Sequence, residues 1–470
     1  MPFVTGPLPQ RLKLVHGFGA VAFGVKDSGF SFFLLPFYNL VLGVDASTVG
    51  AALAAALVID ALVDPLIGHL SDRTYTKWGR RLPWLYLAPW PLALVWTMLW
   101  SPPFTGTPGF WDIVALAVGV RLLLSACEVP SVSLVPEITD DYDDRTTLFR
   151  YRFLSGWLGG LLMMVLTFTV FLPTPQSQLQ PEGYASYGLF GAALIALSVI
   201  GSAAAQHRIV AQLPERRPPP FSITGAFAEI FDAFREKAFV IFALGGLAAY
   251  VLQGMTFSIT QYVNLYVWQF SELAFQLYPA VLFLSVVLMF VIVGPLHRRW
   301  GKPKSAALGA LVGLAFYCSP YVFYLAGAWP TVGTTASTAL LYGFLVCANT
   351  ASVVAIISAT SMVAEIVEAF EERTGQRAEG TFYAGNWLVQ KCATGGGILL
   401  TSLIVQSIDL APGTPQAEVA PETVRQLVWL FMLAATVLAS IAAFWLARFP
   451  ISREQHEARV AARRGRPAPP

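Results

Sequence analysis

Eight ionisable residues stand within or at the rim of long apolar runs of this sequence: Lys26, Asp27, Asp60, Asp64, Arg121, Glu128, Arg152 and Lys391. A charge at the centre of a lipid bilayer costs at least about 2.5–3.5 kcal/mol, so such residues must face one another or a wet cavity. Asp60 and Asp64 are four residues apart, which puts both carboxylates on one face of a helix, one turn from each other. In a low dielectric the two repel unless a cation or a proton sits between them, and that is the property a proton or sodium site needs. Pro65 follows directly; it removes a backbone donor and leaves a carbonyl near the pair free. The alternative is a structural pair neutralised by Lys26 or Lys391, and one lysine can serve both ends by compensating the site when it is empty.

Lys26 and Asp27 are adjacent, so on a helix they point about 100° apart and address different partners. One can meet a substrate while the other meets the acidic pair. Around them Gly17, Gly19, Ala20, Ala22 and Gly24 make a small-residue face that admits a close neighbour. Arg121, Ser125 and Glu128 fall on one stripe of a later helix, with Pro130 loosening the backbone beside the acid. Arg121 is either an internal strut paired with Glu128 or a substrate contact. Trp387 sits one turn before Lys391, where its ring can stack on a sugar face or simply pack. Trp78, Trp84, Trp90, Trp96, Trp100 and Trp111 fall toward helix ends, as an interfacial belt does.

Elements able to position these groups follow from composition. Of 470 residues 56% are hydrophobic and only 12% charged, against about a quarter in soluble domains, with a net charge of +2. That excludes a disordered or nucleic-acid-binding chain and leaves too little polar surface to clothe a water-soluble enzyme. Cys127, Cys318, Cys347 and Cys392 lie in apolar runs without CxxC spacing, and the five histidines fall at helix ends or in polar segments. Neither a metal cluster nor a nucleotide motif is visible, which argues against an intramembrane enzyme and for no cofactor beyond a coupling cation.

Apolar run lengths place spans near 14–42, 46–70, 82–101, 110–136, 148–172, 184–206, 238–267, 275–297, 304–326, 334–360, 381–408 and 423–447. The expected fold is an all-α membrane protein of twelve transmembrane helices in two pseudo-symmetric six-helix halves. The divisions are an N-terminal bundle (1–206), a Pro-rich charged middle loop (207–237), a C-terminal bundle (238–447) and a basic tail (448–470). Placing both termini in the cytoplasm gathers nearly every Lys and Arg of the loops on the inner side and leaves only Arg425 outside. GHLSDRTYTKWGRR (68–81) after the second helix and GPLHRRWGKPKS (294–305) after the eighth share Gly-x-Leu and a basic Trp-Gly turn, as two parallel repeats would. Asp72, Arg73, Arg80 and Arg81 of the first of these loops are the expected cytoplasmic gate.

GFGAVAFGVKD (17–27), FYNLVLGVDASTVG (37–50), IDALVDPLIGHLSDRTYTKWGRRLPW (59–84), EVPSVSLVPEITDDYDDRTTLFRYRF (128–153) and RAEGTFYAGNWLVQKCATGGG (377–397) resemble the glycoside-pentoside-hexuronide cation symporters of the major facilitator superfamily. The resemblance covers most of the first five helices and part of the eleventh, and its DxxxDP element with the following S-D-R…G-R-R loop is specific. It implies uptake of a sugar or glycoside with a monovalent cation, H+ or Na+. By that likeness Asp60, Asp64 and Ser125 hold the cation; Asp60 and Asp64 would be metal ligands were that cation sodium. Asp27 and Glu128 bond sugar hydroxyls, Lys26 and Arg152 assist, and Lys391 bridges cation and sugar.

Departures from the pattern matter. Val63 stands where sodium-using members carry Asn, which favours a proton; Val132 replaces a Trp, Trp387 a Thr, Glu128 an Asp, and Arg121 is additional. The expected protein is therefore a multi-pass plasma-membrane symporter that does not inherit galactoside specificity: Lys26, Arg121, Arg152 and Lys391 suit a sugar acid. Its partners are a small-molecule carbohydrate and the lipid bilayer, without nucleic acid, and the chain is expected to act as a monomer. A lysolipid or other amphiphile is the competing cargo, because Val132, Trp387 and a Phe-rich first helix make the cavity more apolar.

Overall fold

The computed structural model describes residues 8–139, 141–213, 223–375, 378–408 and 410–451. Residues 214–222 of the middle loop, with its prolines and Arg216 and Arg217, lie outside the described residues, as do Arg377 and the basic tail from 452 onward. Among the described residues all regular structure is helical. Eleven continuous helices are long and apolar enough to cross a bilayer. In chain order they are α1 (Gln10–Val41), α2 (Ala46–Asp72), α3 (Leu82–Trp100), α4 (Phe110–Ile138), α5 (Asp143–Phe171), α6 (Pro181–Val210) and α7 (Lys237–Val267), then Glu272–Leu325, α10 (Thr335–Thr374), α11 (Glu379–Ser407) and α12 (Pro421–Ala447). Glu272–Leu325 breaks at Gly301, whose φ of 73° and ψ of 171° are not helical, so it supplies two spans, α8 (272–300) and α9 (302–325).

The spans follow the apolar runs closely, and they overshoot where charged turns continue a helix beyond the hydrocarbon. α10 runs to Thr374 instead of ending near 360, carrying Glu365, Glu368 and Glu371 in its last turns. The helix that carries α5 begins one residue earlier, at Tyr142, behind an N-cap in which the Asp144 amide donates to Asp141 Oδ1 at 2.8 Å.

The chain forms two compact units. The first comprises Met1–Ile223, Phe257–Pro279 and Ile398–Ala420. Within it α1 packs on α5 and α6, α2 on α4, and α3 on α4 and α6. The α1–α5 contact is close because both helices present glycines: a Cβ on Gly24 would run into the backbone of Gly156 and Gly160. An aromatic core of Phe37, Trp96, Trp100, Tyr184 and Tyr187 fills the opposite end, with Trp100 stacked on Tyr184 at 9°. α1 opens into wide π-type turns at Gly29–Phe33 and Phe37–Val41, a distortion common beside functional sites. At the same end Tyr262 of α7 donates to Asn39 Oδ1 at 2.9 Å, and Gln261 bonds Gln178.

The second unit comprises Thr224–Thr256, Ala280–Gly397 and Pro421–Pro470. Its core gathers Phe239, Phe242, Met362, Val363, Ile366 and Phe382, all nearly inaccessible.

Candidate functional site

α2 and α4 lie side by side, and this contact assembles the acidic pair. Ser125 on α4 stands between the carboxylates, its Oγ 2.7 Å from Asp64 Oδ1 and 3.2 Å from Asp60 Oδ1. A hydroxyl has one proton to donate, so it serves one carboxylate at a time, and the shorter distance favours Asp64. Arg121, one turn earlier on α4, donates from Nη1 to Asp60 Oδ2 at 3.1 Å. Arg121 and Asp60 are both buried, while Asp64 is half-buried. The ring of Phe30, in the first wide turn of α1, covers the guanidinium at 4.6 Å.

Two expectations change here. The strut reading paired Arg121 with Glu128 on its own helix, and its ion pair is with Asp60. Position along α4 explains the choice: Arg121 and Ser125 share the face that meets α2, so the guanidinium reaches across to the neighbouring helix rather than along its own. Lys26 and Asp27 were expected to diverge, yet they form an ion pair. The flexible lysine stem folds back far enough to close the angle that the backbone opens. The Asp27 side chain stays 67% exposed, so its carboxylate remains open to a further partner.

Arg152 of α5 is buried and donates to Ser131 Oγ at 2.6 Å, with its guanidinium 5.5 Å from the Phe23 ring. Glu128 is half-buried on α4. On α11 of the second unit Trp387 is exposed and Lys391 half-buried. The first basic loop is a built cluster: Arg81 is buried, bonds Ser71 Oγ at 2.6 Å, pairs with Asp72 and reaches Glu137 Oε1 at 2.9 Å. Arg80 meets the same Glu137 oxygen at 2.8 Å, and Arg73 is exposed.

Sequence spacing left three of these residues unassigned. Glu137, which takes both arginines of the loop, sits at the end of α4 beyond the apolar stretch. Ser131, which orients Arg152, lies three residues after Glu128 and so on the stripe already marked by Arg121 and Ser125. Phe30 lies three after Asp27 on α1. Stripe spacing was a signal for the last two; Glu137 offered none.

Among the described residues eleven helices are apolar and long enough to cross a bilayer, and the first unit holds a buried acid–serine–arginine cluster, as a polytopic transporter does. The family model for MFS/sugar transport proteins matches residues 15–453, and the chain belongs to this family, the glycoside–cation symporters of the major facilitator superfamily. An uncharacterized symporter of Synechocystis is 27% identical over 94% of either chain. The isoprimeverose transporter of Lactiplantibacillus pentosus is 30% identical over 34% of this chain and 33% of its own. Among solved structures the nucleoside transporter NupG superposes with a TM-score of 0.66 at 16% identity, covering 94% of this chain and all of that one, which shows the shared fold. The protein is a multi-pass transporter of sugars or glycosides in a bacterial inner membrane.

Proposed function

We propose that the protein is a symporter, importing a sugar, glycoside or sugar acid together with a monovalent cation by alternating access. The observation that carries the reading is the Ser125 hydroxyl held between Asp60 and Asp64 in the membrane-spanning part of the chain. Asp64 is the exchangeable carboxylate: it is half-buried and takes the Ser125 hydroxyl, whereas Asp60 is buried and ion-paired with Arg121. A cation arriving at Asp64 adds counter-charge beside the two carboxylates and lowers the cost of occluding them.

The substrate side follows from exposure. Asp27 offers a carboxylate to sugar hydroxyls, with Lys26 paired alongside, and Glu128 adds a second carboxylate on α4. Arg152, fixed by Ser131, is a candidate for an acidic substituent. Lys391 keeps the role the family resemblance gives it, bridging cation and sugar, and Trp387, which stands where the family carries Thr, offers an indole to a sugar face. The coupling is reciprocal: whatever factor the cation adds to substrate affinity, substrate adds to cation affinity, typically about 5–150-fold.

The test is a comparison of net accumulation and counterflow in proteoliposomes. Asp64→Asn is expected to lose gradient-driven accumulation while retaining counterflow. Asp27→Ala is expected to lose both, because substrate binding itself fails. Full accumulation by Asp64→Asn would overturn the assignment.

A further inference from the structure

We infer that Arg121 is the cation-selectivity residue of this carrier: its guanidinium holds Asp60 as a built-in cation and makes the cluster refuse sodium. The inference rests on the symport reading above and narrows its coupling ion.

Sodium is a hard cation that needs several oxygen ligands at once. Here a resident guanidinium already takes part of the ligand set. Asp60 Oδ2 is engaged by Arg121 Nη1, and Ser125 Oγ lies within hydrogen-bond distance of Oδ1 of each carboxylate. Val63, beside the pair on α2, brings no oxygen. A sodium ion on these oxygens would stand one carboxylate away from a buried guanidinium, and like charges at that separation repel strongly where water does not screen them. The residues present therefore do not fit sodium.

Arg121 is also placed to stay. It is buried between Asp60 and the face of Phe30, and its Nε is buried without a hydrogen-bond partner. A guanidinium with a spare buried donor is held by its charge and its ring contact rather than by a saturated hydrogen-bond set, which is what a counter-ion occupying another ion's place would show. Arg121 and Ser125 come from the same face of α4, so one helix delivers both the resident charge and the hydroxyl.

The experiment uses the full-length purified chain in proteoliposomes, with choline replacing sodium at constant ionic strength. Wild type is expected to show substrate affinity that sodium changes by less than about twofold, whereas Arg121→Gln is expected to gain sodium dependence within the usual coupling range of about 5–150-fold. Arg121→Lys, which keeps the charge, should remain indifferent to sodium. Sodium dependence in wild type or in Arg121→Lys overturns the inference, as does a folded Arg121→Gln that sodium leaves unchanged. If Arg121→Gln does not fold in choline, recovery of folded protein by sodium during purification supports the inference, and failure to recover it in sodium contradicts it. Failure of the symport reading looks different: no ion gradient would then drive accumulation in wild type, while Arg121→Gln would still acquire sodium binding.

Discussion

Single residues carry the chemistry, and their neighbours decide what each one does. Asp60 and Asp64 are equivalent by spacing, yet one is neutralised by Arg121 and the other shares a hydroxyl. Helical spacing reveals which residues of one helix share a face; it does not reveal which helix lies opposite. The acidic pair and the Arg121–Ser125–Glu128 stripe were therefore legible in the sequence, and the Arg121–Asp60 pairing was not. The same reasoning applies to Arg152. Ser131→Ala removes the one hydroxyl bonded to that buried guanidinium, at a cost in the range of about 1.5–3 kcal/mol for a hydrogen bond to a charge. Substrate affinity measured by counterflow is expected to fall roughly tenfold, the equivalent of about 1.4 kcal/mol, with net folding retained. Unchanged affinity would mean that Arg152 does not address the substrate.

Helices set the distances between these residues. Their number and placement were readable because membrane spans need long apolar runs. Their ends were less so, since a helix continues into water wherever charged residues still pack, as α10 does through buried Glu365. The α1–α5 crossing depends on Gly24. Gly24→Val would drive a side chain into the backbone of α5, which cannot yield as a side chain can. The loss of stability is expected to exceed the ~1–3 kcal/mol of ordinary overpacking, visible as a lower Tm in detergent. At the loop after α2, Glu137→Gln leaves Arg80 and Arg81 facing each other with one carboxylate fewer. Turnover is expected to change while substrate affinity stays put, because the cluster acts on movement rather than on binding; a parallel loss of affinity would contradict that division.

The two units repeat one device. The loop after α2 turns at Trp78-Gly79 and the α8–α9 junction at Trp300-Gly301, with φ of 80° and 73° at the two glycines, a region side-chain-bearing residues rarely enter. In the first unit Glu137 of α4 holds Arg80 and Arg81, and in the second Glu365 of α10 holds Lys302 at 3.0 Å. The Trp-Gly repeat was visible in the sequence; the acids that answer it, each on the fourth helix of its six, were not. Such matched clusters suit a carrier whose two sides open in turn. The central claim, that this alternation is coupled to a cation through Asp64, is tested most directly by uptake into proteoliposomes under separately imposed proton and sodium gradients across a panel of neutral and acidic sugars. Concentrative uptake of at least one of them is expected on an inward proton gradient, with no drive from sodium and only equilibration in Asp64→Asn. Equilibration alone under both gradients, or accumulation undiminished in Asp64→Asn, would contradict it.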